Sequence, residues 1–201
     1  MSVNRQYRTY RFLYSICRFI AGICCRLQTV GRENIPEGGA LLCANHSHWC
    51  DPFLMAFALT KKVHLHLVAK KELFHNKLLN YIIRKIGSFP VDRSSADITA
   101  VRTVVRYLKG GSKVGIFPEG TRTMKDGAVE AKVGAVRMAE MAGVPVVPVY
   151  IPRKKRLFGR ITVVIGKPFH VNTEHRHLKQ EDYQRLTDQM MEQITLLGGT
   201  V

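Results

Sequence analysis

Ala40-Leu41-Leu42-Cys43-Ala44-Asn45-His46-Ser47-His48-Trp49-Cys50-Asp51-Pro52 carries an apolar run into a polar loop and on to an Asp-Pro pair. Residues 40–44 are all apolar, the mark of a strand buried on both faces. Asp51-Pro52 then opens a helix, because Asp is a good N-cap and Pro suits the first helical position. The apolar run 53–59 continues that helix. The segment therefore reads strand, polar loop, helix.

The same alternation extends in both directions. Upstream, residues 28–32 read as a short strand and Glu37-Gly38-Gly39 as a turn. Downstream, 63–69 is β-like, and 73–86 is helical with Leu78, Ile82 and Ile86 on one side and Gly87 as its stop. A short strand follows at 89–91, a helix at 96–108 and a buried strand at 114–117. Then come a helix at 132–141 closed by Gly143, a β-branched strand at 144–151, a strand at 161–165 and a helix at 180–197. Strands alternating with helices predict an α/β domain with a central mixed sheet flanked by helices. No internal repeat or low-complexity linker divides the 201 residues, which suit one domain with a real core. The one boundary drawn separates an N-terminal helix, 1–27, from a domain spanning 28–201.

The charge is uneven. Lys and Arg number 31 against 15 Asp and Glu, for a formal +16. Such a surface attracts polyanions: nucleic acid, anionic headgroups or an acidic protein, and charge alone does not choose. The cysteines at 17, 24, 25, 43 and 50 are odd in number with two adjacent, which is no disulfide framework. A reducing compartment follows, hence a cytoplasmic location.

Residues 12–25 are mostly apolar but interrupted by Arg18. As a helix they reach about 21 Å, short of a hydrocarbon core of roughly 30 Å. No Ala-x-Ala-like cleavage site follows. Leu13, Ile16, Cys17, Ile20, Cys24 and Leu27 recur at helical spacing, opposite Arg11, Ser15, Arg18, Gly22 and Arg26. This pattern predicts an amphipathic helix lying on a membrane surface, with a helix packed on the domain as the alternative.

Two histidines and an aspartate dominate the loop after the first buried strand. Folding back, the loop can bring Asp51 to the imidazole of His46. A carboxylate holding one ring nitrogen fixes the tautomer and frees the other nitrogen as a base, suited to taking a proton from an alcohol. The bland reading is that Asp51 only caps its helix.

Three further segments bear on that choice. Gly87-Ser88-Phe89-Pro90-Val91-Asp92-Arg93 surrounds the short strand, Phe117-Pro118-Glu119-Gly120-Thr121-Arg122 follows a buried strand, and Val144-Pro145-Val146-Val147-Pro148-Val149 is a late core strand. With the His-x4-Asp element they resemble, in order and spacing, the four sequence blocks of the glycerolipid acyltransferases, and most closely the lysophosphatidic acid acyltransferases. The resemblance spans about half the chain, from Asn45 to Ile151, and Val30-Gly31-Arg32-Glu33-Asn34-Ile35-Pro36 before it also looks typical.

The resemblance implies that His46 is the general base and Asp51 its orienting carboxylate. It implies acceptor-phosphate binding by Arg93, with Glu119, Gly120, Thr121 and Arg122 contributing and Lys70 nearby. Arg offers paired donors to phosphate; Glu119 suits holding arginines in place, and the bland reading of Arg93 and Arg122 is structural ion pairing. It implies no cofactor, with acyl-CoA or acyl carrier protein as co-substrate, lysophosphatidic acid as acceptor, and residence on the cytoplasmic face of the membrane. Arg153-Lys154-Lys155-Arg156 and Lys70-Lys71 are candidate contacts for these anionic partners, although a charge run is usually a solvated face. Two departures bear on the identity of the acceptor: Pro90 for a common Ile or Phe, which alters the wall of the acceptor pocket, and Ala131 for a common Phe.

Other classes fit less well. No Gly-x-Ser-x-Gly elbow is present for a serine hydrolase. His46 with His48 and His64 with His66 resemble metal-ligand pairs, but Cys50-Asp51-Pro52 does not supply the Asp spacing of a binuclear site. No RNA-recognition, KH or zinc-finger signature accompanies the basic charge, so no nucleic-acid partner is expected.

Overall fold

The computed structural model describes residues 3–92, 97–125, 129–172 and 177–200. Among the described residues, helices and strands follow in the order α1 (Val3–Cys24), β1 (Arg26–Val30), β2 (Ala40–Ala44), α2 (Asp51–Ala58), β3 (Leu65–Lys70), α3 (Lys77–Lys85), β4 (Phe89–Val91), α4 (Ile98–Lys109), β5 (Lys113–Ile116), α5 (Gly134–Ala142), β6 (Val146–Tyr150), β7 (Arg160–Ile165) and α6 (Gln180–Gly198). The strands form one sheet in the order β1-β7-β6-β2-β5-β3-β4. Every pairing is parallel except β6 with β7, so the sheet is mixed, as expected.

β2 lies in the middle, between β5 and β6. Its residues are at most 1% exposed. Ala40, Leu42 and Ala44 point to one face and pack with Leu54, Met55 and Ala58 of α2. Leu41 and Cys43 point to the other and pack with Val104 and Leu108 of α4, Val136 of α5 and Met190 of α6. Side chains alternate along a strand, so one apolar run serves two cores. Truncating Leu41 or Leu42 to Ala would cost about 2–5 kcal/mol.

Because β2, β3, β4, β5 and β6 run the same way, the loops leaving their carboxyl ends meet along one edge. Segments far apart in sequence, after residues 44, 70, 91, 116 and 150, are brought together there, where open α/β sheets bind ligands.

The helix expected over 73–86 is shorter. A 3-10 turn covers Lys71–Phe74, and Asn76 caps α3 by accepting the backbone N–H of Leu79 at 3.0 Å. An Asn side chain satisfies an otherwise orphaned donor, so the helix restarts there. Gly87 follows at φ +85°, where a Cβ would lie 2.5 Å from His64 Nε2.

α1 packs through one face. Tyr10 is buried, its hydroxyl donating to Val63 O at 3.2 Å, and Tyr14 donates to Leu59 O at 3.2 Å. Arg18, expected on the outward polar stripe, is half-buried with its guanidinium 6.0 Å from the Phe57 ring centroid. The outward face carries Phe12, Ile16, Phe19 and Ile23, with Phe19 73% exposed. Among the described residues no helix is long and apolar enough to cross a membrane.

Candidate active site

The loop between β2 and α2 is pinned by the loops that follow β5 and β6. Asn45 bonds Ile151 reciprocally, donating to its carbonyl and accepting its N–H, both at 2.8 Å. This ties the carboxyl end of β2 to that of β6. The next N–H, of His46, donates to Glu119 Oε2 at 2.6 Å, and Thr123 N–H donates to His46 O at 2.9 Å. The loop after β5 thereby grips the same residue from the other side.

Asp51 stands at the first position of α2, with Cys50 in the N-cap place and no side-chain cap bond. Asp51 thus does not cap its helix, as the bland reading had it. Its carboxylate turns back into the loop, where Oδ2 accepts the N–H groups of Ser47 and His48, each at 2.7 Å, and His46 Nδ1–H at 2.9 Å. Since Oδ2 is an acceptor, Nδ1 carries the proton and Nε2 keeps its lone pair. Ring position is fixed further by Phe117, stacked at a centroid distance of 4.2 Å. A pair built this way can lift a proton from an alcohol at Nε2 and stabilise the resulting imidazolium.

Asp51 is fully buried. Burial by itself would raise its pKa, but donation from His46, Lys155 and the N–H groups of His48 and Ser47 outweighs it and holds the group at about 2. Oδ1 accepts no bond of good hydrogen-bond geometry, yet it lies 2.8 Å from Lys155 Nζ as an ion pair.

Glu119 does hold an arginine, and it is Arg153. Its Oε1 takes Arg153 Nη2 at 2.7 Å, with both side chains buried. Arg153 also donates to Thr123 O and, at 3.4 Å, to His46 O. Two members of the run 153–156 therefore face inward, Arg153 to Glu119 and Lys155 to Asp51, while Lys154 and Arg156 are exposed. The parallel order explains it: this run leaves the end of β6, next to β2.

Gly120 turns at φ +67°, a conformation that favours glycine, with the Lys132 side chain lying over it. Thr121 and Arg122 are exposed on the same loop. Lys70 ends β3, half exposed and 3.4 Å from Glu72. Arg93 lies outside the described residues. The structure therefore brings His46, Asp51 and Glu119 into one network and leaves Thr121 and Arg122 at its exposed margin. Sequence reasoning missed the roles of Asn45, Phe117, Arg153 and Lys155. The available signal was their position past the carboxyl ends of β2 (Asn45), β5 (Phe117) and β6 (Arg153 and Lys155).

Behind Phe117 lies an apolar cavity of about 230 Å³, lined in part by Val68, Val91, Val104 and Met138, with Lys132 and Gly120 on its border. Hollows of about 480 and 520 Å³ lie elsewhere, around Lys113 and Glu140, but neither borders the dyad. Proximity to His46 through Phe117 makes the smaller cavity the relevant one.

The second histidine pair is committed to the backbone. His64 Nε2–H donates to Ile86 O and His66 Nδ1–H to Gly87 O, both at 2.9 Å. Burial lowers both, His66 to about 4 with the help of its His64 neighbour. Among the described residues no cluster of three or more His, Cys, Asp or Glu is arranged to hold a metal ion.

Comparison with known proteins bears on the family and the fold. Residues 26–152 match the Acyltransferase family. A 1-acyl-sn-glycerol-3-phosphate acyltransferase of Bacillus subtilis (strain 168) is 34% identical over 179 residues, covering 86% of this chain and 88% of that protein. One of Pseudomonas aeruginosa is 32% identical over 177 residues, covering 82% and 66%. The crystal structure of the 1-acyl-sn-glycerophosphate (LPA) acyltransferase from Thermotoga maritima shares the fold, with a TM-score of 0.68 at 22% identity, over 95% of this chain and 79% of that one. Family match, sequence relatives and fold converge, and the chain belongs to the acyltransferase family.

Proposed function

We propose that the protein transfers a fatty acyl group from an acyl thioester, of coenzyme A or acyl carrier protein, to the sn-2 hydroxyl of 1-acyl-sn-glycerol-3-phosphate, forming phosphatidic acid. The observation that carries this reading is the 2.9 Å bond from His46 Nδ1 to the buried Asp51 carboxylate. It leaves Nε2 available as a base at the carboxyl edge of the sheet. The acceptor is the one that the names of the Bacillus and Pseudomonas relatives give.

In this mechanism His46 Nε2 takes the acceptor's hydroxyl proton as its oxygen attacks the thioester carbonyl. Asp51 stabilises the imidazolium. The tetrahedral intermediate collapses, the C–S bond breaks, and the thiolate takes the proton back from Nε2. An ester and a free thiol result, with His46 again neutral. No covalent enzyme intermediate is needed.

Arg93, Arg122 and Lys70 are proposed to meet the acceptor phosphate, with Gly120 and Thr121 shaping the backbone beside it. Glu119 is proposed to act through the loop rather than on substrate, as its bonds to His46 N–H and Arg153 suggest. Residues 1–27 are proposed as a membrane-surface element and 28–201 as the acyltransferase domain. Phe12, Ile16, Phe19 and Ile23, spaced one helical turn apart and exposed, support a peripheral seat on an anionic lipid surface. The formal +16 charge suits the cytoplasmic leaflet.

The test supplies radiolabelled acyl-CoA and acyl carrier protein with 1-acyl-sn-glycerol-3-phosphate on vesicles. Phosphatidic acid is the expected product. Product from a different lysolipid and none from this one would move the acceptor assignment.

A further inference from the structure

We infer that Lys155 is a positioning residue for the dyad, clamping Asp51 and offsetting its charge beside His46. The inference rests on the dyad reading above. Oδ2 of Asp51 has three donors, all from the loop of residues 46–48. Oδ1 has one partner, the Lys155 ammonium at 2.8 Å. That ammonium also donates to Ser47 Oγ at 2.9 Å and Pro152 O at 2.6 Å. Its side chain is 9% exposed. Two of its hydrogens are thus taken by Ser47 Oγ and Pro152 O while its charge is paired with Asp51 Oδ1, which leaves it poorly placed to bind an anionic substrate.

The arrangement has a direct electrostatic consequence. A buried carboxylate beside an imidazole favours the protonated ring, which is useless as a base. A cation on the far oxygen weakens that pull. The other groups around the pair are His48 and Cys50 on the same loop, Glu119 after β5, Arg153 after β6, and Cys25 beside Cys50. Glu119 and Arg153 are paired with each other, so their charges offset. Burial, and next the Asp51 charge, raise Cys50, keeping that thiol neutral at working pH. Lys155 is the cation in direct contact with Asp51.

The experiment compares Lys155→Met, Lys155→Arg and His46→Ala with the parent protein, measuring acyl transfer against pH. Lys155→Met is expected to lower kcat roughly tenfold with little change in KM for the acceptor. The acid limb of its kcat/KM profile is expected to move up by on the order of one pH unit. Lys155→Arg should restore much of the limb's position. An unmoved limb with unchanged kcat, or a loss confined to KM, overturns the inference. If His46→Ala retains transfer, the dyad reading itself fails; if it is inactive while Lys155→Met titrates like the parent, only this inference fails. Should Lys155→Met not fold, the Lys155 ammonium resonance is followed in the parent and in Asp51→Asn. A changed resonance supports the clamp, and an unchanged one overturns it.

Discussion

Glu119 joins His46 to the loop after β6: Oε2 accepts the backbone N–H of His46 at 2.6 Å while Oε1 holds Arg153 at 2.7 Å. Both residues of the ion pair are nearly inaccessible, Glu119 at 3% and Arg153 at 9% exposure. Removing one member of such a pair strands the other. Glu119→Ala is expected to cost about 3 kcal/mol or more in urea unfolding. Glu119→Gln, which keeps an acceptor for the His46 N–H, should cost less. A loss within about 0.5 kcal/mol for the Ala variant, typical of a surface change, would contradict the clamp.

Asp51 sets an acid limit on stability. Its folded value, about 2, lies below the ordinary 3.8 because its donors outweigh burial. The stabilisation is therefore complete above about pH 4 and is lost as pH falls toward 2. Asp51→Asn should flatten that part of the stability profile in acid unfolding followed by circular dichroism. Transfer at neutral pH should fall roughly 10³–10⁴-fold, because an amide cannot support the imidazolium. Unchanged transfer with a flattened profile would make Asp51 structural only.

His66 works in a different window. Burial, and then the neighbouring His64, hold it at about 4 against an ordinary 6.5. The unfolded chain binds that proton first, so stability declines as pH falls from about 6.5 to 4. His64 is lowered too and adds in the same direction. His66→Asn, which can still donate to Gly87 O, should reduce the decline in thermal melts across this range. An identical slope would place the proton uptake elsewhere.

Gly87 is the hinge on which those histidines rest. With φ at +85° and a Cβ position 2.5 Å from His64 Nε2 and 2.8 Å from His66 Nδ1, alanine meets both strain and collision. Gly87→Ala should destabilise by at least about 1–3 kcal/mol, read as a lower Tm. A Tm equal to that of the parent would show that the turn relaxes freely.

Much of this was legible in the sequence because two rules dominate. The continuous apolar run 40–44 could only be a strand covered on both sides, and Gly110-Gly111 and Gly143 end the helices before them. Asp51-Pro52 marked the start of α2 correctly but for an incomplete reason. The same residue type that caps helices also accepts loop N–H groups, and local sequence does not say which way the carboxylate turns. Arg153 and Lys155 stand in a run that in sequence offers two readings, a contact for anionic partners or a solvated face. Their burial follows from β6 lying beside β2, a fact of sheet order that pattern alone does not carry. On α1, spacing implied an apolar stripe through Leu13 and Cys17, whereas the packed face is the one bearing Tyr10, Tyr14 and Arg18. Tyrosines and an arginine stem bury apolar surface while keeping a polar tip satisfied, which leaves Phe12 and Phe19 outside.

Nε2 of His46 is proposed to remove the acceptor's proton. The most direct measurement is phosphatidic acid formation by folded His46→Ala, beside the parent protein, at saturating acyl thioester and 1-acyl-sn-glycerol-3-phosphate. A fall of roughly 10²–10⁴-fold in kcat is expected, with circular dichroism and Tm preserved. Near-normal transfer by the folded variant would contradict it.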